Sequence, residues 1–490
     1  MNRNEQRNFT LNPSVNIGRS KFPMSHGLKT TFNAGELIPI FCQPVLPGDT
    51  WSVDTAFVGR MSTPIFPVMD NSFVDYYYFF VPNRLVWKHF PDFCGENNST
   101  YWSQPTEYTV PQLNIDESDP DDRLASLYDY FGLPLGMKGG SISALPFRGY
   151  VRIWNEWFRD QNTTPPAYFS DDDSNRTVKW RDSSIGTVTG NNTALYGGCP
   201  LKVAKKHDLF TSCLPAPQKG DPISIEIAGG LLPVDSGTPP HELNNIKWLW
   251  NTDENPTEED VSYFLGVKSQ AATDPNTGFN ALKYNITGAG GWDALNSDSE
   301  PYKPRNLYAD ASNLANVTVN ELRNAFALQR ILETDSRYGT RYVEILQGHF
   351  GVHSPDERLQ RTEYLGGARV PINVDQVLQT SSTDSTSPQG NTAAYSRTSD
   401  VRSSFTHSFV EHGYIIGLAC VRTYHTYQQG VDRHWSHETR WDMYWPELAH
   451  IGEVPVFNKE IYAQGTTTDD QVFGYQEAWY EYRFANSHVT

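Results

Sequence analysis

The chain has 490 residues, with 57 acidic side chains against 39 basic ones and a formal net charge of −18. Its hydrophobic share is only 38%, which points to much loop and polar surface, yet aromatic residues reach 13%, which argues strongly against a disordered chain. The overall acidity argues against a generic nucleic-acid binder. No apolar run approaches the ~18 residues of a membrane span, and the polar stretch Met1–Thr10 carries no signal-peptide core.

The charge is uneven along the chain. Residues 1–30 hold Arg3, Arg7, Arg19, Lys21 and Lys29 against Glu5 alone, a net of +4. Phe9 and Phe22 are interleaved with these charges, and basic arms of this kind neutralise phosphates without reading sequence. An ordinary frayed terminus is the plainer reading. Leu37–Phe41 and the shorter Trp51–Phe57 read as strands. Phe73–Val81, stopped by Pro82, is aromatic almost throughout and predicts a strand buried on both faces.

Tyr150, Ile153, Trp154, Trp157 and Phe158 recur at helical spacing behind Pro146 and predict one packed helix. From Asn162 to Gly198 the chain is polar, and Asp171-Asp172-Asp173 reads as a solvated charge run rather than a calcium loop. Residues 221–300 carry thirteen acids and only Lys247, Lys268 and Lys283, a net of −10, among many turn signals. Such a stretch is a poor builder of its own core. Thr318 and Glu321 form a capping box ahead of a second helix, whose Leu322, Ala325, Phe326, Leu328, Ile331 and Leu332 are expected to pack on something. Thr380–Ser399 reads as a polar surface loop. Tyr414–Val421 and Glu477–Phe484 read as strands. Strands at both ends of the chain, joined by long polar connections, predict a β-sandwich with large inserted loops.

Chemistry is hard to find. The phosphate-loop, nucleophile-elbow, dinucleotide and HExxH patterns are all broken in this sequence. Cys42, Cys94, Cys199, Cys213 and Cys420 form no CxxC pair and read as idle thiols of a reducing compartment. His434 and His437 beside Glu438, with His425, His407 and His412, are the best metal candidates, as are His349 and His353 more weakly. Hydrogen bonding at strand ends is the simpler role for all of them. No cofactor, metal or catalytic residue is expected.

Several blocks resemble the major capsid proteins of gokushoviruses, small single-stranded DNA phages of the Microviridae. They are Lys29-Thr30-Thr31-Phe32-Asn33-Ala34-Gly35 running on to Leu46-Pro47-Gly48-Asp49-Thr50, Pro67-Val68-Met69-Asp70-Asn71, Phe79 to Trp87, and Leu145 to Asn162. Gly339 to Glu344, His349 to Asp356, Arg358 to Gly367 and Thr439 to Leu448 continue the likeness. The resemblance implies an eight-stranded antiparallel jelly roll with long loop insertions and a few helices. It also implies about sixty copies in a T=1 icosahedral shell around the genome.

The implied organisation is a basic N-terminal arm at 1–35, a first part of the jelly-roll core at 36–164, a variable insertion at 165–305 and the remaining core at 306–490. The insertion is expected to project at the threefold axes and meet the host cell surface, with Trp248, Trp250, Tyr263 and Trp292 as contact residues that stack on host glycans, although a core inside the trimer is the simpler role for those rings. Arg3, Arg7, Arg19, Lys21 and Lys29 are expected to touch DNA. The implied partners are further copies of the chain, phage single-stranded DNA, an internal scaffolding protein, a pilot or minor spike protein and a host receptor, with assembly in the bacterial cytoplasm and no membrane insertion. The family's chains are expected to run on past the block Gln476–Thr490. A carbohydrate-active β-sandwich protein, lectin or glycosidase, is the alternative, supported by aromatic content and acidic pI alone.

Overall fold

The computed structural model describes residues 18–62, 68, 70–96, 106–115, 124–137, 139–180, 198–221, 223, 319–339, 341–378, 392–449 and 451–489. It also describes short strands at 232–233, 264–266, 283–285, 292–294 and 308–309. Two compact units divide the chain, one comprising residues 1–219 with 333–490 and the other residues 220–332.

Six strands build the sandwich of the first unit: β1 (Ile38–Val45), β2 (Thr50–Gly59), β3 (Ser72–Pro82), β4 (Glu363–Pro371), β5 (Thr398–Ser408) and β6 (Gly413–Thr423). Four of them form an antiparallel sheet in the order β1-β6-β3-β4, and β2 pairs antiparallel with β5. The near-continuous apolarity of β3 has a direct cause, because it is central and both its faces are covered. Tyr77, Phe79 and Val81 pack into one core, and Tyr76, Tyr78 and Phe80 into another. The second core is closed by Phe405 and Phe409, with Trp51, Val53 and Phe57 of β2 against it, which makes this part a β-sandwich.

The first core lies against α1 (Leu145–Ile153), which runs into a π-turn at Trp154–Phe158. Proline in its first turn removes no needed donor. The predicted stripe is buried at Tyr150, Ile153, Trp154 and Phe158. Gly149 sets how closely α1 approaches the sheet, since a Cβ there would sit 3.0 Å from Ile416 Cδ1. The Tyr150 hydroxyl, fully buried, donates to the Leu37 carbonyl at 2.8 Å and accepts from the Leu201 amide at 2.9 Å. Ala167, Val178, Trp180 and Leu201 belong to this same core.

A smaller cluster of Leu209, Phe210, Val456 and Tyr480 organises the C-terminal part, around the antiparallel pair β7 (Glu453–Phe457) and β8 (Val472–Glu477). In the second unit, Phe264–Gly266, Lys283–Asn285 and Trp292–Ala294 form an antiparallel sheet, and Leu232–Pro233 pairs with Tyr308–Ala309. The protein is thus mainly β, with mostly antiparallel sheets and few helices.

Three expectations change. Glu477–Phe484 is not a strand: β8 ends at Glu477, Trp479 takes a left-handed φ of 64°, and Tyr480–Tyr482 is a 3-10 turn. The aromatic residues there suited a strand by propensity, but Tyr480 is needed in the small core and the turn delivers it. The second helix, α2 (Val319–Tyr338), exists, but none of its residues is buried. Phe326, Leu328 and Ile331 are all exposed, so its apolar face has no cover within the described residues. Its predicted cap Thr318 lies outside the described residues. Within 380–399, Thr392–Ser396 pairs with Val374–Leu378 and β5 begins at Thr398. No helix among the described residues is long and apolar enough to cross a membrane.

Candidate assembly surface

Large aromatic side chains crowd the surface between Arg433 and Phe484. Trp435 is 76% exposed, Trp441 59% and Tyr482 58%, and Met443, Tyr444 and Trp445 are exposed beside them. These rings are held in place. The Thr439 side chain accepts from the Trp441 amide, and Asp442 accepts from the Thr439 amide at 2.7 Å, so a capping box fixes the turn carrying Trp441. Those amide bonds also hold the Asp442 carboxyl below its ordinary range. The Arg440 guanidinium lies 4.1 Å from the Trp441 ring centre, and Trp445 Nε1 donates to the Arg440 carbonyl at 2.8 Å. Tyr444, Trp479 and Tyr482 contact one another edge to face or tilted. Below them the buried Tyr480 hydroxyl donates to Glu460, whose carboxyl is pushed up by burial. Exposed and fixed rings of this kind need little ordering on contact, which favours a protein–protein interface.

Helix α3 (Tyr342–Phe350) exposes two further large apolar side chains, Tyr342 and Phe350. It starts on a reciprocal Arg341–Glu344 cap and ends on Gly351, whose φ of 66° suits glycine alone at low cost.

The N-terminal arm runs across the open side of the sandwich. Gly35 donates to the Val421 carbonyl at one end of the sheet, and the Arg19 guanidinium reaches the Gly48 carbonyl at the other. His26 stacks on Phe41 at 5.6 Å. Arm, β2 and one face of β3 and β6 together line a groove of about 2120 Å³. Of the residues expected at DNA, Arg19, Lys21 and Lys29 are exposed along this arm, and Arg3 and Arg7 lie outside the described residues. Of those expected at the host, Trp292 opens a strand of the second unit, and Trp248, Trp250 and Tyr263 lie outside the described residues.

A charge network not signalled by the sequence sits at the arm's root. Asp75, fully buried in β3, accepts from Arg369 Nε at 2.7 Å and Nη2 at 3.0 Å, and from Arg422 Nη2 at 2.6 Å. Burial alone would raise its carboxyl, but the two arginines outweigh that and hold it below the ordinary range. A second cluster gathers at the start of β4. Burial, then the charges of Glu357, Glu411 and Asp356, push Glu363 up to about 7, although Arg84 opposes them. Arg84 pairs with Glu411 at 2.6 Å, and His407 Nε2 is 3.9 Å from Glu363.

The remaining histidine and acid candidates disperse. His349 bonds Asp335 at 2.8 Å, His437 faces Glu481 at 3.7 Å, His434 packs on Trp435 and His412 on Phe90. Among the described residues no group of three His, Cys, Asp or Glu is placed to hold a metal ion. The Asp171–Asp173 run is more than a solvated stretch. Asp173 accepts from Trp87 Nε1 at 2.6 Å and pairs with His89, and Asp172 bonds Ser174 and Arg176. Burial acts upward on Asp172, yet those hydrogen bonds and Arg176 bring it down to about 2. No two of Cys42, Cys94, Cys213 and Cys420 are joined, and burial pushes Cys42, Cys213 and Cys420 up to about 12, which leaves them unreactive.

The exposed aromatic surface agrees with comparisons to known proteins. The profile of the capsid protein (F protein) family matches residues 11–490. Capsid protein VP1 of Bdellovibrio phage phiMH2K is 40% identical over 491 residues, covering 99% of this chain and 84% of that one. Capsid protein VP1 of Chlamydia phage 1 is 38% identical, over 98% of this chain and 85% of that one. Capsid protein VP1 of Spiroplasma virus 4 is 39% identical, over 98% and 83%. All three are gokushoviruses, the group to which the sequence blocks pointed.

Proposed function

The chain belongs to the capsid protein (F protein) family, and from that premise we propose that about sixty copies of it close with T=1 icosahedral symmetry around a phage single-stranded DNA genome. The protein is a major capsid protein with a structural role in the virion. The observation that carries the shell reading is the fixed, exposed aromatic surface at 433–484, and Tyr342 and Phe350 of α3 are exposed as well. Obligate interfaces are large and apolar, and repeated contacts under closed symmetry give a finite particle.

The finer parts of the reading rest on the same premise. The sandwich completes an eight-stranded jelly roll, for which the order β1-β6-β3-β4 opposite β2-β5 is the support. Within the insertion at 165–305, the acidic 221–300 tip projects outward at the threefold axes and meets the host through Trp248, Trp250, Tyr263 and Trp292. Arg3, Arg7, Arg19, Lys21 and Lys29 face the genome. A scaffolding protein assists assembly in the bacterial cytoplasm, a pilot protein delivers DNA, and the subunit itself catalyses nothing.

Negative-stain microscopy of native material from infected cells tests the shell. Round particles of roughly 25–30 nm are expected for sixty compact subunits around a cavity. Monomers or dimers from those cells would overturn it. Deleting residues 221–300 is expected to leave particles that no longer attach to the host, and normal attachment would contradict the role of the tip.

A further inference from the structure

Four side chains from four distant segments form a row at one end of the central sheet. Lys206 Nζ lies 5.5 Å from the Tyr424 ring centre, Tyr424 meets Phe73 edge to face at 4.9 Å, and the Arg369 guanidinium lies 5.5 Å from the Phe73 ring centre. Tyr424 is 41% exposed. The order is therefore cation, ring, ring, cation, along an accessible edge. Lys202 and Lys205 are exposed on the same segment as Lys206, and the arm's root binds that segment through Leu37 and Gly35.

The cations at this edge outnumber the carboxylates that pair with them. Asp75 is one carboxylate facing two guanidiniums, and Arg369 engages Nε and Nη2 with it, while Nη1 has no hydrogen-bond partner among the described residues. Lys202, Lys205 and Lys206 have no carboxylate within ion-pair distance among the described residues. The neighbouring carboxylates Asp208 and Asp70 accept from the hydroxyls of Tyr427, Thr211 and Thr426 rather than from these cations, and Glu36 stands opposite Lys202 across an isolated bridge. In a chain of net charge −18, an edge that gathers lysines and an arginine beside the exposed Tyr424 ring and the half-buried Phe73 ring is suited to an anionic ligand with flat groups.

We propose that Lys206, Tyr424, Phe73 and Arg369 form a binding site for single-stranded polynucleotide, separate from the charges of the N-terminal arm. The proposal rests on the reading that the protein encloses a nucleic-acid genome. Lys206 exchanges the Tyr424 ring for a phosphate, and a base takes the ring face that the ammonium leaves. Arg369, held from behind by Asp75, presents Nη1 to the next phosphate. Such a site binds without sequence preference, because every base has a face to stack and every nucleotide a phosphate.

Full-length protein with a fluorescent fifteen-residue oligo(dT) tests this by anisotropy across a salt series. Lys205→Ala with Lys206→Ala should weaken binding and lower the slope of log affinity against log salt by roughly 0.7 per lost phosphate contact. Tyr424→Leu should weaken oligo(dT) by roughly ten-fold, the loss of one stacked base, while leaving inorganic polyphosphate binding unchanged. The urea midpoints of these exposed-site variants verify that they fold. Unchanged oligo(dT) binding in either variant overturns the site, and so does a Tyr424→Leu protein that loses polyphosphate equally. Sedimentation keeps the two readings apart. Particles with unaltered DNA binding sink the site and leave the shell, whereas site-dependent DNA binding without particles from infected cells sinks the shell and leaves the site.

Discussion

Around β3, Tyr76, Tyr78, Phe79 and Phe80 are each exposed by 3% or less, whereas Trp435, Trp441 and Tyr482 are exposed by 76%, 59% and 58%. Both regions are aromatic, and both hold their rings in defined positions. In the sheet the rings are covered by the chain's own elements, α1 on one face and β2 with β5 on the other. At 433–484 the same kind of side chain is fixed by capping and cation–ring contacts but covered by nothing among the described residues. The first region stabilises the subunit, and the second acquires its full value only against another copy. The difference explains how a chain with a modest apolar share carries so many aromatic residues.

That contrast can be broken at several points. The largest effect is expected at the sheet: Asp75→Ala leaves Arg369 and Arg422 facing each other without their carboxylate and should cost about 3–5 kcal/mol. A urea denaturation midpoint equal to that of the unaltered protein would contradict it. Trp441→Ser should behave in the opposite way. Subunit stability should stay within about 0.5 kcal/mol, as at an ordinary surface site, while the loss of a central ring, worth about 2 kcal/mol or more per contact, suppresses particle yield. Particles at normal yield would remove Trp441 from the interface.

Tyr150→Phe sharpens the core side of the comparison. It deletes one hydroxyl that serves both the Leu37 carbonyl and the Leu201 amide, and the expected loss is about 1–3 kcal/mol in chemical denaturation. Glu363→Gln gives the smallest effect, and it depends on pH. The folded-state carboxyl is raised to about 7 from an ordinary value of 4.5, so ionisation opposes folding. The destabilisation begins as pH rises past the ordinary value and is complete above about 7. The glutamine variant should therefore match the unaltered protein near pH 4 and exceed it by about 1–2 kcal/mol at pH 8, after allowance for solvent screening. Equal melting temperatures at pH 8 would contradict the burial of that charge.

Strands β1, β2, β3 and β6 and the helix α1 were legible because their signals are local, whereas β4 and β5 were not read as strands, since Gly366-Gly367 and the polar run Arg402-Ser403-Ser404 give no continuous apolar pattern. Phe73–Val81 shows its burial in consecutive residues, and Tyr150 to Phe158 shows its face in helical spacing. Glu477–Phe484 misled because aromatic content favours a strand, whereas the left-handed Trp479 and the demand for Tyr480 in a small core are tertiary facts. Asp75 was in plain view inside an aromatic run, but its partners Arg369 and Arg422 lie about three hundred residues away in sequence. The Lys206–Tyr424–Phe73–Arg369 row was illegible for the same reason, since no spacing in one segment encodes it. The uncovered face of α2 illustrates the converse: its apolar periodicity was readable, but what covers it is not part of the described chain.

Hydroxyl-radical footprinting of intact particles against dissociated subunits tests the central claim most directly. The account predicts that oxidation of Trp435, Trp441 and Tyr482 falls several-fold on assembly, while Tyr76 and Phe79 are protected in both states. Equal oxidation of the three exposed rings in particle and subunit would contradict it, and the shell would have to be held by another surface.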